Sequence, residues 1–346
     1  MSGDRAGLVD VREPESAGPI LAVRDLQAHF RVRHFGVNRY VRAVDGISFD
    51  VKRGEIYGLA GESSSGKTTL VKTIAGASKP PLEVVGGTIE FAFLPGYGGL
   101  HNAPPAEVSR IRWRNLSYIM QGSMNVLNPV RRLRHSFVDF ARPHISGTAK
   151  VFETEVIGHL ARLKLDASVL AAYPHELSGG MRQRATIALA TICRPDFIIA
   201  DEPTTALDVV VQKDVLDMIR GIQREIGSSV LFVTHDMGVH AYLTDRLGIM
   251  YAGRLAEEAA TPEIFRNPLH PYTQHLISSL PRIGDDVPRK GLEGAPPNLA
   301  DPPAGCRFHP RCPLAMEVCH RRVPEMIETA PAHRVACFAV NGSGEP

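Results

Sequence analysis

The sequence predicts an α/β fold. A parallel sheet lies between helices, a strand-rich section precedes it, and a small cysteine-rich C-terminal domain follows it. Three observations carry this prediction. Short, wholly apolar strands alternate with helical stretches, as in FIIA, then DVVVQKDVLDMIRGIQREIG, then SVLFVT. A glycine- and serine-rich loop joins a strand to a helix in IYGLAGESSSGKTTLVKTIAG. Near residue 260 the composition shifts to clustered prolines and loop-rich text.

The elements follow in order. Residues 1–19, MSGDRAGLVDVREPESAGP, mix acids with bases and have no apolar run, so they read as a flexible lead-in and not as a signal peptide. LAVRDLQAHFRV (21–32) and VRAVDGISFDVKRGEIYGL (41–59) alternate with period two and are broken by glycine, which predicts antiparallel strands and hairpins. Residues 104–195 are mostly helical in character. The helix after residue 208 carries Val211, Val215, Met218, Ile219, Ile222 and Ile226 on one face, and Gly227 stops it. The expected division is residues 20–259 as one main unit and residues 260–346 as a C-terminal extension.

Composition excludes several classes. The 346 residues are 44% apolar and 22% charged with net charge +2, too balanced for a nucleic-acid surface. No stretch approaches about 18 consecutive apolar residues, so no segment is expected to span a bilayer. The chain reads as cytosolic, or as held on a membrane by a partner.

Gly61-Glu-Ser-Ser-Ser-Gly-Lys-Thr68 fits G-x-x-x-x-G-K-[ST]. The backbone N–H groups of Gly61, Ser63, Ser64, Ser65, Gly66, Lys67, Thr68 and Thr69 can surround phosphate oxygens. Lys67 can reach the β- and γ-phosphates, and the Thr68 hydroxyl can ligand Mg²⁺. Asp201, ending the strand FIIA, can hold the Mg²⁺ shell, and Glu202 beside it can polarise an attacking water. Ser178, Gly179 and Gly180 precede a helix expected from about Met181. A helix N-terminus with a hydroxyl and no bulky side chains favours an anion.

In this order, with Gln121, Leu177-Ser-Gly-Gly-Met-Arg-Gln-Arg184, Ala206-Leu207-Asp208 and His235, the motifs resemble those of ATP-binding-cassette ATPases over roughly residues 20–340. The resemblance implies a P-loop ATPase domain with an antiparallel β-subdomain, and a helical subdomain over about 104–195. It implies ATP and Mg²⁺ as cofactors, with Gln121 sensing the metal. ATP would be sandwiched between one chain's P-loop and the partner's LSGG, with Asp208 at the interface and His235 on the γ-phosphate. Phe30 fits the position that stacks on adenine, with Tyr40 as competitor. Two departures stand out. Ser64 occupies a position usually glycine, which costs strain if φ is positive there. Gly122-Ser123 follows Gln121 where an acid is common.

YPHELSGGMRQR, ADEPTTALDVVVQ, NPLHPYTQHLISSLP and the cysteine-rich tail resemble the D-type ATPase of oligopeptide and dipeptide importers, a subfamily that also serves nickel and some oligosaccharides. That implies an F-type ATPase partner, two permeases and an external binding protein, at the cytoplasmic face of the inner membrane. Pro174-His175-Glu176 and MQGSMNVLNP would line the groove for a permease. A soluble cassette ATPase with a redox-sensing tail and no permeases is the alternative.

The tail holds Cys306, Cys312, Cys319 and Cys337, spaced C-x5-C-x6-C-x17-C. These gaps exceed the usual C-x2-4-C pairs of zinc sites, and four thiolates in a loop can wrap a cuboidal cluster. D-type subunits are associated with a [4Fe–4S] cluster in such a tail; zinc and metal-free thiols are the alternatives. His309 and His320 could substitute as ligands. The cluster would staple the tail or sense redox state. Cys193, in TIALATICR, reads as a buried small residue.

Overall fold

The computed structural model describes residues 18–34, 37–122, 126–205, 207–280 and 292–341. The expected lead-in falls outside these residues up to position 17, as do Ala206 and the stretch 123–125 of the expected groove.

The strands are β1 (Leu21–His34), β2 (Val37–Val51), β3 (Ile56–Ala60), β4 (Leu82–Phe91), β5 (Leu116–Ile119), β6 (Phe197–Asp201), β7 (Ser229–Val233), β8 (Arg246–Tyr251), β9 (Arg254–Ala260), β10 (Ile327–Ala330) and β11 (His333–Val335). The helices are α1 (Lys67–Ile74), α2 (Pro105–Ile111), α3 (Leu133–Ala141), α4 (Ala149–Arg162), α5 (Gly179–Thr191), α6 (Val209–Ile226), α7 (Met237–Leu243), α8 (Thr261–Arg266), α9 (Pro271–Ser278), α10 (Glu317–Arg321) and α11 (Phe338–Asn341).

Two sheets form. The strand-rich start gives an antiparallel sheet in the order β2-β1-β4. The second sheet runs β10-β11-β9-β8-β3-β7-β6-β5. Its β8, β3, β7, β6 and β5 are parallel, and β9 turns antiparallel to β8. The parallel strands are buried on both faces, which is why their text is continuously apolar. In β6, Phe197 and Ile199 enter the core shared with the antiparallel sheet and α1. Ile198 and Ala200 enter the core shared with α3 to α6. α6 buries Val215, Leu216, Ile219 and Ile222, and Gly227 ends it in the left-handed region at φ 70.

The expected separate cysteine-rich domain is not supported. β11 pairs with β9, so the tail continues the main sheet. Glu257 of β9, fully buried, stands 2.7 Å from the His333 ring and accepts the Leu269 and His270 N–H groups at 2.8 and 2.9 Å. Phe308 packs on Tyr251 and Tyr272, with ring centroids 5.1 and 5.5 Å away. A segment too small for its own core borrows one from the sheet edge.

Candidate nucleotide site

The parallel strands end flush. Leu59 of β3 and Asp201 of β6 both stand level with Val233 of β7, and Ile119 of β5 stands level with Ala200. The chain leaves these ends into the phosphate loop, Glu202, His235 and Gln121. Four distant stretches of sequence are thereby delivered to the carboxyl edge of one sheet, where ligands of open α/β sheets bind.

The loop between β3 and α1 requires glycine at two places. Gly61 has φ 149, and a Cβ there would overlap the Met250 carbonyl oxygen. Gly66 has φ 103, and a Cβ would overlap the carbonyl oxygen of Ala43. Ser64 does sit at positive φ, 64, and is exposed beside Ser63. Ser65 is buried, and its carbonyl accepts the Gly253 N–H at 2.8 Å. Lys67 is buried and donates to the carbonyls of Gly61 and Glu62 at 2.6 and 2.9 Å and to Ser65 Oγ at 3.3 Å. Burial lowers its pKa, while Glu202, Asp201 and Glu62 oppose that. Thr68 and Thr69 are half-buried in the first turn of α1.

Asp201 is fully buried. Its Oδ2 accepts from the Tyr118 hydroxyl at 3.3 Å, and its Oδ1 has no partner. Burial pushes its carboxyl up to about 6, against the pull of Tyr118, Lys72 and Lys67. An unpaired, buried carboxylate oxygen within the field of Lys67 fits the chemistry of a hard cation. Glu202 holds positive φ, 51, a strained backbone of the kind found at active sites. Its Oε1 accepts the His235 N–H at 3.1 Å and lies 2.8 Å from the His235 Nδ1. Its Oε2 accepts from the Thr205 and Thr234 hydroxyls at 2.8 and 3.4 Å. The carboxylate is thus nearly enclosed, while the His235 ring stays 64% exposed to reach outward.

Gln121 is exposed at its strand end. The expected start of α5 near Met181 is corrected to Gly179, because the Ser178 hydroxyl accepts the Met181 N–H at 3.3 Å and caps the helix two residues earlier. Ser178 and Gly179 are exposed, and no hydrogen bond joins Ser178, Gly179 or Gly180 to the phosphate loop among the described residues. Asp208 is exposed and caps α6, its carboxylate accepting the Val211 N–H at 2.9 Å. Phe30 pairs with Val41 and packs against the core of α1; Tyr40 pairs with Arg31 and is exposed. Neighbouring pairs alternate faces, so Phe30 and Tyr40 lie on opposite sides of the β1–β2 ribbon.

The four tail cysteines are free thiols close enough to influence one another electrostatically. Burial pushes Cys306 up to about 11 and also raises Cys312 and Cys337. The expected ligand set is not assembled. Among the described residues no group of three or more His, Cys, Asp or Glu side chains is placed to hold a metal ion. His309 and His320 contact each other, with centroids 4.3 Å apart. Cys193 is half-buried against the helical core, and burial pushes it up to about 12.

Sequence reasoning missed the long-range partners of this site: Tyr118 on Asp201, Tyr272 and Arg311 on Glu62, and Arg307 on Asp45. The last three pairs are 210, 249 and 262 positions apart, and no local pattern marks them.

The ABC transporter family profile matches residues 44–205, and that of the oligopeptide/dipeptide transporter C-terminal region matches residues 256–319. The oligopeptide transport ATP-binding protein AppF of Bacillus subtilis is 39% identical over 92% of this chain and 96% of its own. The dipeptide transport ATP-binding protein DppD of Caldanaerobacter subterraneus is 36% identical over 92% and 96%. The dimeric structure of MJ0796, a bacterial ABC transporter cassette, shares the fold at TM-score 0.59 and 22% identity, over 70% of this chain and 98% of that one. The same cassette with ADP and Pi gives TM-score 0.58 at 22% identity over the same shares. The chain belongs to the ABC transporter ATP-binding proteins of the oligopeptide/dipeptide type, a family whose members hydrolyse ATP to power transport.

Proposed function

We propose that this chain is the ATP-hydrolysing subunit of a peptide-family importer. One observation carries the reading: the phosphate loop, Asp201, Glu202 and His235 meet at one sheet edge, where a buried carboxylate oxygen lacks a partner. ATP would lie on the loop between β3 and α1, with Lys67 released from the Gly61 and Glu62 carbonyls to its β- and γ-phosphates. Mg²⁺ would be held by Thr68, Gln121 and Asp201, and would shield the phosphate charge. Glu202, already aimed by four donors, would accept a proton from the attacking water. His235 would hold the γ-phosphate from the other side of that carboxylate. For adenine, Phe30, half-buried at the edge of the core, would be the stacking face, with the exposed Tyr40 as competitor.

The exposed N-terminus of α5 would meet the γ-phosphate bound to a second subunit. Asp208, which caps α6, would keep the neighbouring loop in register at that interface. A second, related ATPase subunit would complete the pair, with this chain as the D-type and its partner as the F-type. Two permeases and an external binding protein would complete the importer and hold this subunit on the cytoplasmic face. Met120, Val126 and Val130 are exposed apolar side chains beside Gln121 and would meet a permease helix.

For the tail we propose that the four cysteines, which stand near one another but are not assembled as ligands, would draw together around a [4Fe–4S] cluster, with zinc as the alternative. The Met316 N–H donates to Cys319 Sγ at 3.5 Å, and neighbouring backbone N–H groups hold down the pKa of Cys306, Cys312 and Cys337 against burial. Such bonds favour thiolates and tune bound clusters. When bound, the cluster would serve as a staple.

The test is reconstitution. Co-expressed permeases should retain this chain on membranes, and ATP should then drive uptake of a labelled oligopeptide into proteoliposomes. Retained ATPase activity with a soluble partner and no permease association would refute the importer reading. Anaerobic purification should yield about four irons and four sulfides per chain; one zinc and no iron, or no metal, would refute the cluster.

A further inference from the structure

We propose that Arg311 of the cysteine-rich tail is a positioning residue for ATP binding, because it grips and neutralises Glu62 of the phosphate loop. This rests on the reading of Gly61–Thr68 as a triphosphate cradle. A carboxylate within such a loop carries the same sign as the ligand, and its field would oppose binding.

The structure gives that carboxylate a dedicated counter-charge. Arg311 Nη1 donates to Glu62 Oε2 at 2.8 Å and Nη2 to Oε1 at 3.1 Å, a two-pronged pair. The guanidinium is itself fixed. Nη1 also donates to the Tyr251 hydroxyl at 3.2 Å, Nε donates to the Glu293 carbonyl at 3.2 Å, and the group lies 5.8 Å from the Tyr251 ring centre. Its side chain is only 6% exposed. The Glu62 main chain is held as well, its N–H donating to the Tyr272 hydroxyl at 2.8 Å and its carbonyl accepting from Lys67. Every polar group of Glu62 is therefore engaged, and two of its partners, Tyr272 and Arg311, come from beyond residue 260. Arg311 directly precedes Cys312, so the fold of the cysteine segment sets where its charge stands.

The test measures binding of a fluorescent ATP analogue with Mg²⁺ to the full chain, at low and high salt, with melting curves alongside. Arg311→Met leaves Glu62 unopposed and should weaken binding about 10-fold at low salt, with a smaller gap at high salt. Glu62→Gln leaves Arg311 unopposed and should tighten binding several-fold. The double variant restores neutrality and should bind nearly as the native chain does. A role in stability alone predicts otherwise: the double variant would stay as weak as Arg311→Met. That result overturns the proposal, as does native-like binding by Arg311→Met. If Arg311→Met does not fold, Glu62→Gln decides alone, and unchanged or weaker binding overturns the proposal. Lys67→Ala separates the two layers: native-like binding by that variant would refute the phosphate-loop reading itself.

Discussion

Acid should unfold this protein through three buried histidines. His159, His240 and His270 are each almost fully enclosed, and burial pushes each down to about 4. His159 Nε2 lies 2.8 Å from the Thr191 hydroxyl, and His240 Nε2 lies 3.2 Å from the Thr234 carbonyl. His270 Nδ1 accepts the Tyr272 N–H at 3.0 Å and caps α9, a bond that only the neutral ring can make. The unfolded value is about 6.5. A depressed folded pKa means that the unfolded chain takes the proton first, so stability is intact above about pH 7 and falls as pH drops from 6.5 towards 4. At pH 5 each histidine withdraws about 2 kcal/mol, and three withdraw about 6 kcal/mol. Against a total stability of about 5–15 kcal/mol that loss is large, and only part of it is offset by Asp201, whose raised carboxyl is protonated first in the folded chain as pH falls. The assay is urea unfolding of native and His270→Asn proteins at pH 8 and pH 5. Asparagine keeps a capping oxygen but cannot take up a proton, so the variant should lose about 2 kcal/mol less than native over that interval. Parallel losses in the two proteins would refute the assignment for His270.

Glu202→Gln keeps the site's shape but removes the proposed proton acceptor. It should trap an ATP-bound dimer visible by size exclusion, and hydrolysis at the native rate would refute the role of Glu202. Ser64→Gly relieves a left-handed serine and should stabilise the chain by about 1 kcal/mol, measured by calorimetry. Gly66→Ala should abolish nucleotide binding in the fluorescence assay while the chain still folds, since the added methyl meets the Ala43 carbonyl. Asp208→Ala removes the cap of α6 and should cost about 1 kcal/mol of stability in thermal unfolding.

What was legible in the sequence is what the sheet makes local. A parallel strand is short, apolar and followed at once by its loop, so Lys67, Asp201 and His235 each announce themselves beside their own strand. Ser64 also announced its strain, because a loop position that favours glycine does so through φ, and the serine does sit at 64. The start of α5 was misplaced because two glycines suggest a loop, whereas the Ser178 cap and the packing of α5 outweigh their poor propensity. The tail was illegible for a deeper reason. Its prolines and cysteines read as an independent unit, but β11 needs β9 and Phe308 needs Tyr251 and Tyr272. Contacts such as Arg311 with Glu62 and Arg307 with Asp45 join residues more than two hundred positions apart and leave no periodic trace. Both arginines adjoin tail cysteines, and both end on segments that touch the phosphate loop: Glu62 within it, and Asp45, whose N–H donates to the same Gly253 that donates to Ser65. A tail that only stapled itself would have no need of a buried arginine, Arg311, directed at Glu62 of that loop. That placement makes the C-terminal segment part of the frame of the loop between β3 and α1.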